Sequence, residues 1–139
     1  MKRYLFLALL IVALAALLAA CGGGGGGAPA PAAPAAGAGD ADAGKALFAQ
    51  TVVGSLPGCV TCHSLAAGET LVGPSLAGIG ARAGSTVSGQ SADQYIRTSI
   101  LDPNAHVADG FAQGIMQSFK DVLSEQQVND LVAYLLTLK

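Results

Sequence analysis

The chain has no tryptophan and only four phenylalanines and three tyrosines among its 139 residues, so aromatic side chains, which bury the largest apolar area per residue, are scarce. Charge is scarce too: Asp, Glu, Lys and Arg together make 12% of the sequence, and the seven basic residues form no block that would neutralise a run of phosphates. Nucleic acid is therefore excluded as a partner. No stretch alternates apolar and polar residues convincingly enough to predict a strand. With two histidines and three cysteines, the sequence supports few metal-ligand sets.

The N-terminus carries Met1-Lys2-Arg3 and then an apolar run from Tyr4 to Ala20, a positive region followed by a hydrophobic one, as in an export signal. The run ends at Leu18-Ala19-Ala20-Cys21, which resembles the lipobox of bacterial lipoproteins, cut before the cysteine that then takes the lipid. Residues 1–20 are thus expected to be a signal peptide and Cys21 the lipidated start of the mature chain. An uncleaved transmembrane anchor is the alternative, but the run sits at the short end of what spans a bilayer. Lipidation also accounts for the odd cysteine in an exported protein. Loss of Lys2 and Arg3 from seven basic residues leaves five against nine acidic ones, a net charge of −4.

Between Gly22 and Gly39, six glycines precede an Ala/Pro/Gly tract without the apolar side chains that offset the entropy of ordering. Residues 21–39 therefore read as a lipidated cysteine and flexible linker, with a reach of about 60 Å when fully extended. The ordered domain is expected over residues 40–139. Helices are expected after Asp40, where Ala43, Leu47 and Phe48 share a face, and after Ser91 and Ser124, whose spacing to Gln94 and Gln127 is that of a capping box. Ala92, Tyr95, Ile96, Ser99 and Ile100 line one side of the second, which Asp102-Pro103 stops, and Val128, Leu131, Val132 and Leu135 one side of the third. Gln50 to Ser88, rich in Gly, Pro, Ser and Thr, reads as mostly loop. Such long irregular connections around so thin a core call for a large apolar body at the centre.

Cys59-Val60-Thr61-Cys62-His63 supplies its identity, because this is the attachment pattern of a c-type haem. Two intervening residues set the thiols one helical turn apart, matching the two vinyl groups on one porphyrin edge, and the adjacent histidine falls beneath the iron. A thioredoxin-type dithiol, a structural disulfide or half of a zinc site would use the same residues. The first lacks a βαβ context, and zinc lacks a fourth ligand, since His106 is the only other histidine and Cys21 lies beyond the linker.

From Asp42 to Lys139 the sequence resembles the class I cytochrome c family. Gly73-Pro74-Ser75-Leu76-Ala77-Gly78 resembles the family loop whose proline carbonyl accepts the proximal imidazole N–H, which makes Pro74 the partner of His63. The segments around Asp102-Pro103-Asn104, Gly114-Ile115-Met116 and Leu131 to Leu135 resemble the cytochrome domain of caa3-type oxidase subunit II and the monohaem lipoprotein subunit of alternative complex III. The resemblance implies an all-α fold of three to five short helices and long loops around one haem, with Met116 as distal ligand, Arg82 as a candidate propionate contact, and Gly44, Phe48 and Tyr134 at a crossing of first and last helices. Met116 is the only methionine after the initiator and lies in a polar loop, not on an apolar stripe where it would be core filler. The family usually has proline after this methionine, whereas here Gln117 follows. His106, in a polar turn, reads as a solvated surface residue.

The expected function is single-electron transfer at the outer face of a membrane, within or beside a respiratory or photosynthetic complex such as alternative complex III or a terminal oxidase. A freely tethered carrier is the alternative, and a haem sensor or peroxidase would need the distal position that Met116 fills. Redox proteins are the expected partners, with no small-molecule substrate. The net acidity leads one to expect partners with basic docking faces.

Overall fold

A computed structural model of the chain describes residues 37–139. The expected signal peptide, Cys21 and the linker up to residue 36 lie outside the described residues.

Helix α1 (Ala41–Phe48) starts where the Asp40 carboxylate accepts from the backbone N–H groups of Asp42 and Ala43, at 2.9 and 3.2 Å. It buries Gly44, Leu47 and Phe48. A two-residue antiparallel ladder follows, β1 (Val52–Val53) with β2 (Leu56–Pro57), and then one helical turn, α2 (Cys59–Cys62). Helices α3 (Ile79–Thr86), α4 (Ala92–Leu101) and α5 (Glu125–Thr137) complete the domain. Among the described residues no helix is long and apolar enough to cross a membrane.

Both capping boxes form. Ser91 Oγ accepts from Gln94 N while Gln94 Oε1 accepts from Ser91 N, and Ser124 and Gln127 repeat the exchange, each at 3.2 and 2.9 Å. The predicted stripes face inward: Ile96 and Ile100 on α4 meet Val128, Leu131, Val132 and Leu135 on α5, all buried.

Helix α5 is the element on which the others rest. It packs most extensively with α1 and also contacts α3 and α4. The Phe48 and Tyr134 rings meet at 5.6 Å between centroids, tilted by 57°. Glycine permits the approach: a Cβ on Gly44 would collide with the Asp130 carbonyl, and one on Gly80 with that of Leu136. The chain entering the domain is tied to the same helix. Asp130, buried, accepts from Asp40 N at 2.8 Å and from the Gln126 side chain at 2.8 Å, and Gln126 and Asn129 donate to the carbonyls of Ala38 and Gly37.

The segment 50–88 is mostly irregular, as its composition predicts, but it also contains α3, which was not foreseen. Two of its eight residues besides its cap are glycines, Gly80 and Gly84, which lower intrinsic helix propensity. Tertiary contact overrides that preference: Gly80 N–H donates to Leu138 O at 2.8 Å, and Lys139 Nζ donates to Gly80 O at 3.0 Å. The β1/β2 ladder was also not foreseen, as two residues per strand are too few for an alternating pattern to register.

Candidate functional site

A cavity of about 470 Å³ opens between α4, α2 and the two long connections, within the range of cofactor pockets. Its walls are mainly apolar, with Phe48, Ile96, Ile100, Leu131 and Leu135 among them. The predicted residues Cys59, Cys62, His63, Pro74, Arg82 and Met116 all line this one cavity.

The attachment motif forms a single helical turn because Gly58 precedes it in extended conformation and its carbonyl accepts from Thr61 N–H and from Thr61 Oγ1, at 3.1 and 2.6 Å. His63 leaves the turn in extended backbone, its N–H donating to Cys59 O at 2.9 Å. Neither Cys59 nor Cys62 is in a disulfide, and both are half-buried. Burial pushes the Cys59 thiol above its ordinary value, and the neighbouring Cys62 adds to the rise, so Cys59 stays protonated at neutral pH.

His63 Nδ1 lies 2.8 Å from Pro74 O. A carbonyl oxygen only accepts, so Nδ1 carries the proton and Nε2 keeps its lone pair for a metal. Gly73 makes room for the ring, since a Cβ there would lie 2.6 Å from His63 Cε1 and 2.9 Å from Nδ1. The loop bearing Gly73 and Pro74 is held from both sides. Gly73 N–H donates to Cys62 O and Leu76 N–H to Ser64 O, each at 2.8 Å. The Arg82 guanidinium donates to Ser75 O at 2.7 Å and to Ala77 O. Arg82 thus borders the cavity while spending two donors on the proline loop.

Met116, half-buried, reaches the cavity from the connection between α4 and α5 and packs against the core. That connection is pinned on both sides of it. Gly114 N–H donates to Asn104 Oδ1 at 2.8 Å, Ser118 Oγ to Leu101 O at 2.6 Å, and Phe119 N–H to Ile100 O at 3.1 Å. His106 is exposed, as expected of a solvated residue, but it also borders the cavity and meets Tyr95 edge to ring at 5.7 Å.

The arrangement fits a flat apolar group held at one edge by two sulfurs, with an imidazole nitrogen and a thioether available to its metal. Among the described residues no three or more His, Cys, Asp or Glu side chains gather into a metal-binding cluster. Sequence reasoning placed Tyr95 and Ser99 on the inner face of a helix without assigning them to the cavity, and it missed Asn104 and the packing role of Gly73. Nothing local marks Asn104, which acts only once the loop has folded back.

Comparison with known proteins gives the following. The family described as cytochrome c matches residues 41–139. Cytochrome c2 of Rhodopseudomonas palustris is 34% identical over 120 residues, covering 69% of this chain and 96% of that protein. Cytochrome c2 iso-2 of Magnetospirillum molischianum is 34% identical over 88 residues, covering 58% of this chain and 91% of that protein. No solved structure matches significantly.

Proposed function

We propose, from the premise that the chain belongs to the cytochrome c family, that residues 40–139 form an electron-transfer domain which residues 21–39 hold at the outer face of a membrane. The protein is an electron carrier with one covalently bound haem c. That group supplies one-electron chemistry at its iron, ferrous to ferric and back.

The chain's own residues bind and orient it. Cys59 and Cys62 would hold it covalently, His63 and Met116 would ligate its iron, and Pro74 O fixes the His63 tautomer and raises its basicity. Arg82 stiffens the proline loop and remains the candidate contact for a propionate. The observation that carries this reading is the 2.8 Å bond from His63 Nδ1 to Pro74 O, which leaves Nε2 as a ligand on a cavity that also takes in both thiols and the Met116 thioether.

The test is Met116→Ala. With Met116 as ligand, wild-type ferrous protein at neutral pH resists carbon monoxide and the variant binds it readily. Equal, ready binding by both would refute the assignment. A pyridine haemochrome spectrum indicating no covalent haem would refute attachment at Cys59 and Cys62.

The apolar run ending at Cys21 supports cleavage after residue 20 and lipidation, and mass analysis of the N-terminal peptide checks it. Within that setting the carrier works with redox proteins of a respiratory or photosynthetic chain, such as alternative complex III or a terminal oxidase. Gentle isolation from membranes separates the two arrangements: copurification with a quinol-oxidising assembly supports a fixed subunit, and a lone monomer supports a tethered mobile carrier.

A further inference from the structure

Five of the six exposed large apolar side chains among the described residues lie on the segment 60–72, at and after the attachment motif, or beside Met116; the sixth, Val52, is on β1. Val60 (38% exposed) stands between the two cysteines, and Leu71 (48%) and Val72 (54%) belong to the loop that Gly73 N–H ties to Cys62 O. Ile115 (55%) adjoins Met116 on the opposite connection, and both Val72 and Ile115 line the cavity.

The same surface is almost without formal charge. From Gln50 to Ala81 the only Asp, Glu, Lys or Arg is Glu69, whose carboxylate accepts from the Ser64 hydroxyl, and from Pro103 to Phe119 the only one is Asp109. Among the described Asp, Glu, Lys and Arg residues only Arg82 and the exposed Asp109 line the cavity, and the Arg82 guanidinium is engaged with backbone carbonyls. The remaining charges of the described residues lie on α1, α4 and α5 or beside them. The acidity of the chain therefore says little about the face where an electron would enter or leave, and the expectation of a basic docking face does not carry over to it.

We infer that the rim formed by Val60, Leu71, Val72 and Ile115 docks a redox protein whose own docking face is apolar and without formal charge. This rests on the electron-transfer reading above. A neutral face complements a neutral face: a lysine- or carboxylate-rimmed partner would lose hydration of its charges on contact and find no opposite charge to compensate. Association is then driven by apolar burial and is insensitive to salt, unlike electrostatically steered docking.

A second copy of the holoprotein is the probe, because it presents this same face. One electron passes from a reduced copy to an oxidised one, each ending in the other's state, and line broadening in nuclear magnetic resonance spectra of mixed samples reads the exchange rate. The wild-type rate should change by less than about twofold between about 0.1 and 0.5 M salt. Val72→Lys combined with Ile115→Lys should slow exchange by about tenfold at the lower salt, with partial recovery at the higher, from repulsion and lost lysine hydration. Lys45→Glu, on α1 and exposed, should leave the rate within about twofold. Unchanged exchange in the double-lysine variant would overturn the proposal, as would a wild-type rate that rises about tenfold with salt. A single lysine at Val72 repeats the test should the double variant fold poorly. Absence of a reversible one-electron couple at an electrode would overturn the underlying functional reading, and that is measured before any exchange.

Discussion

Replacing Gly44 by alanine adds one methyl group at the crossing of α1 and α5, where no flexible neighbour is available to yield. The new Cβ would overlap the Asp130 carbonyl oxygen, lie 2.5 Å from its carbon and 2.9 Å from Tyr134 Cβ. Two of these three atoms belong to the helix backbone, so relief requires the helices to separate by about 1 Å, which forfeits roughly a quarter to a half of the dispersion energy across the contact. Overpacking of this kind costs about 1–3 kcal/mol, and the displaced Phe48–Tyr134 pair adds about 0.5–1.5 kcal/mol. Against this, alanine gains about 1 kcal/mol in helix propensity. The net expectation is a loss centred on about 2 kcal/mol, within a range of about 0.5–3.5, and the central value lowers Tm by about 8–16 °C for a domain of this size.

The assay is thermal unfolding of the haem-loaded protein followed by far-ultraviolet circular dichroism at a fixed scan rate. Gly84→Ala is the paired control, because it lies in α3 with its new Cβ no closer than 3.4 Å to any neighbour. It takes the propensity gain without the clash and should raise Tm by a few degrees, about 0.5–1 kcal/mol. If Gly44→Ala unfolds within a few degrees of wild type, or above it, the helices have room for a methyl group and the close-crossing argument is wrong.

Other perturbations test other parts of the domain. Gly73→Ala pushes on the His63 ring, and voltammetry should register a shifted midpoint potential while circular dichroism reports an unchanged fold. An unshifted potential would mean that the ring does not depend on Gly73 for its position. Ser91→Ala and Ser124→Ala each remove a capping box and should cost about 0.5–2 kcal/mol by urea unfolding. Arg82→Lys loses the planar fork that bridges Ser75 O and Ala77 O and should destabilise almost as much as Arg82→Gln, about 1 kcal/mol, whereas full rescue by lysine would argue that only the charge matters.

The parts legible in the sequence were those set by local pattern. Asp40, Ser91 and Ser124 start helices through bonds to residues two or three positions on, and the stripes on α4 and α5 need only the helical period to be recognised. The five residues from Cys59 to His63 likewise lie within one helical turn and its cap. What escaped was set at a distance. Helix α3 holds two glycines that argue against it, and it exists because α5 offers Gly80 a place against the Leu136 carbonyl. Asn104 faces Gly114 only after the loop closes. Arg82 is tied to Ser75 and Ala77 in a way that its spacing along the chain does not foretell.

The place of α5 after the other described elements also bears on the order of assembly. A chain made N-terminus first presents Asp40, α1 and the Cys59–His63 turn long before Val128, Leu131, Val132 and Leu135 emerge. Until they do, α1, α3 and α4 have no common surface on which to bury their apolar faces. In the proposed attachment, Cys59 and Cys62 would meet the prosthetic group in this interval, on a chain not yet closed over them. Arrival of the thirteen-residue α5 then closes the domain.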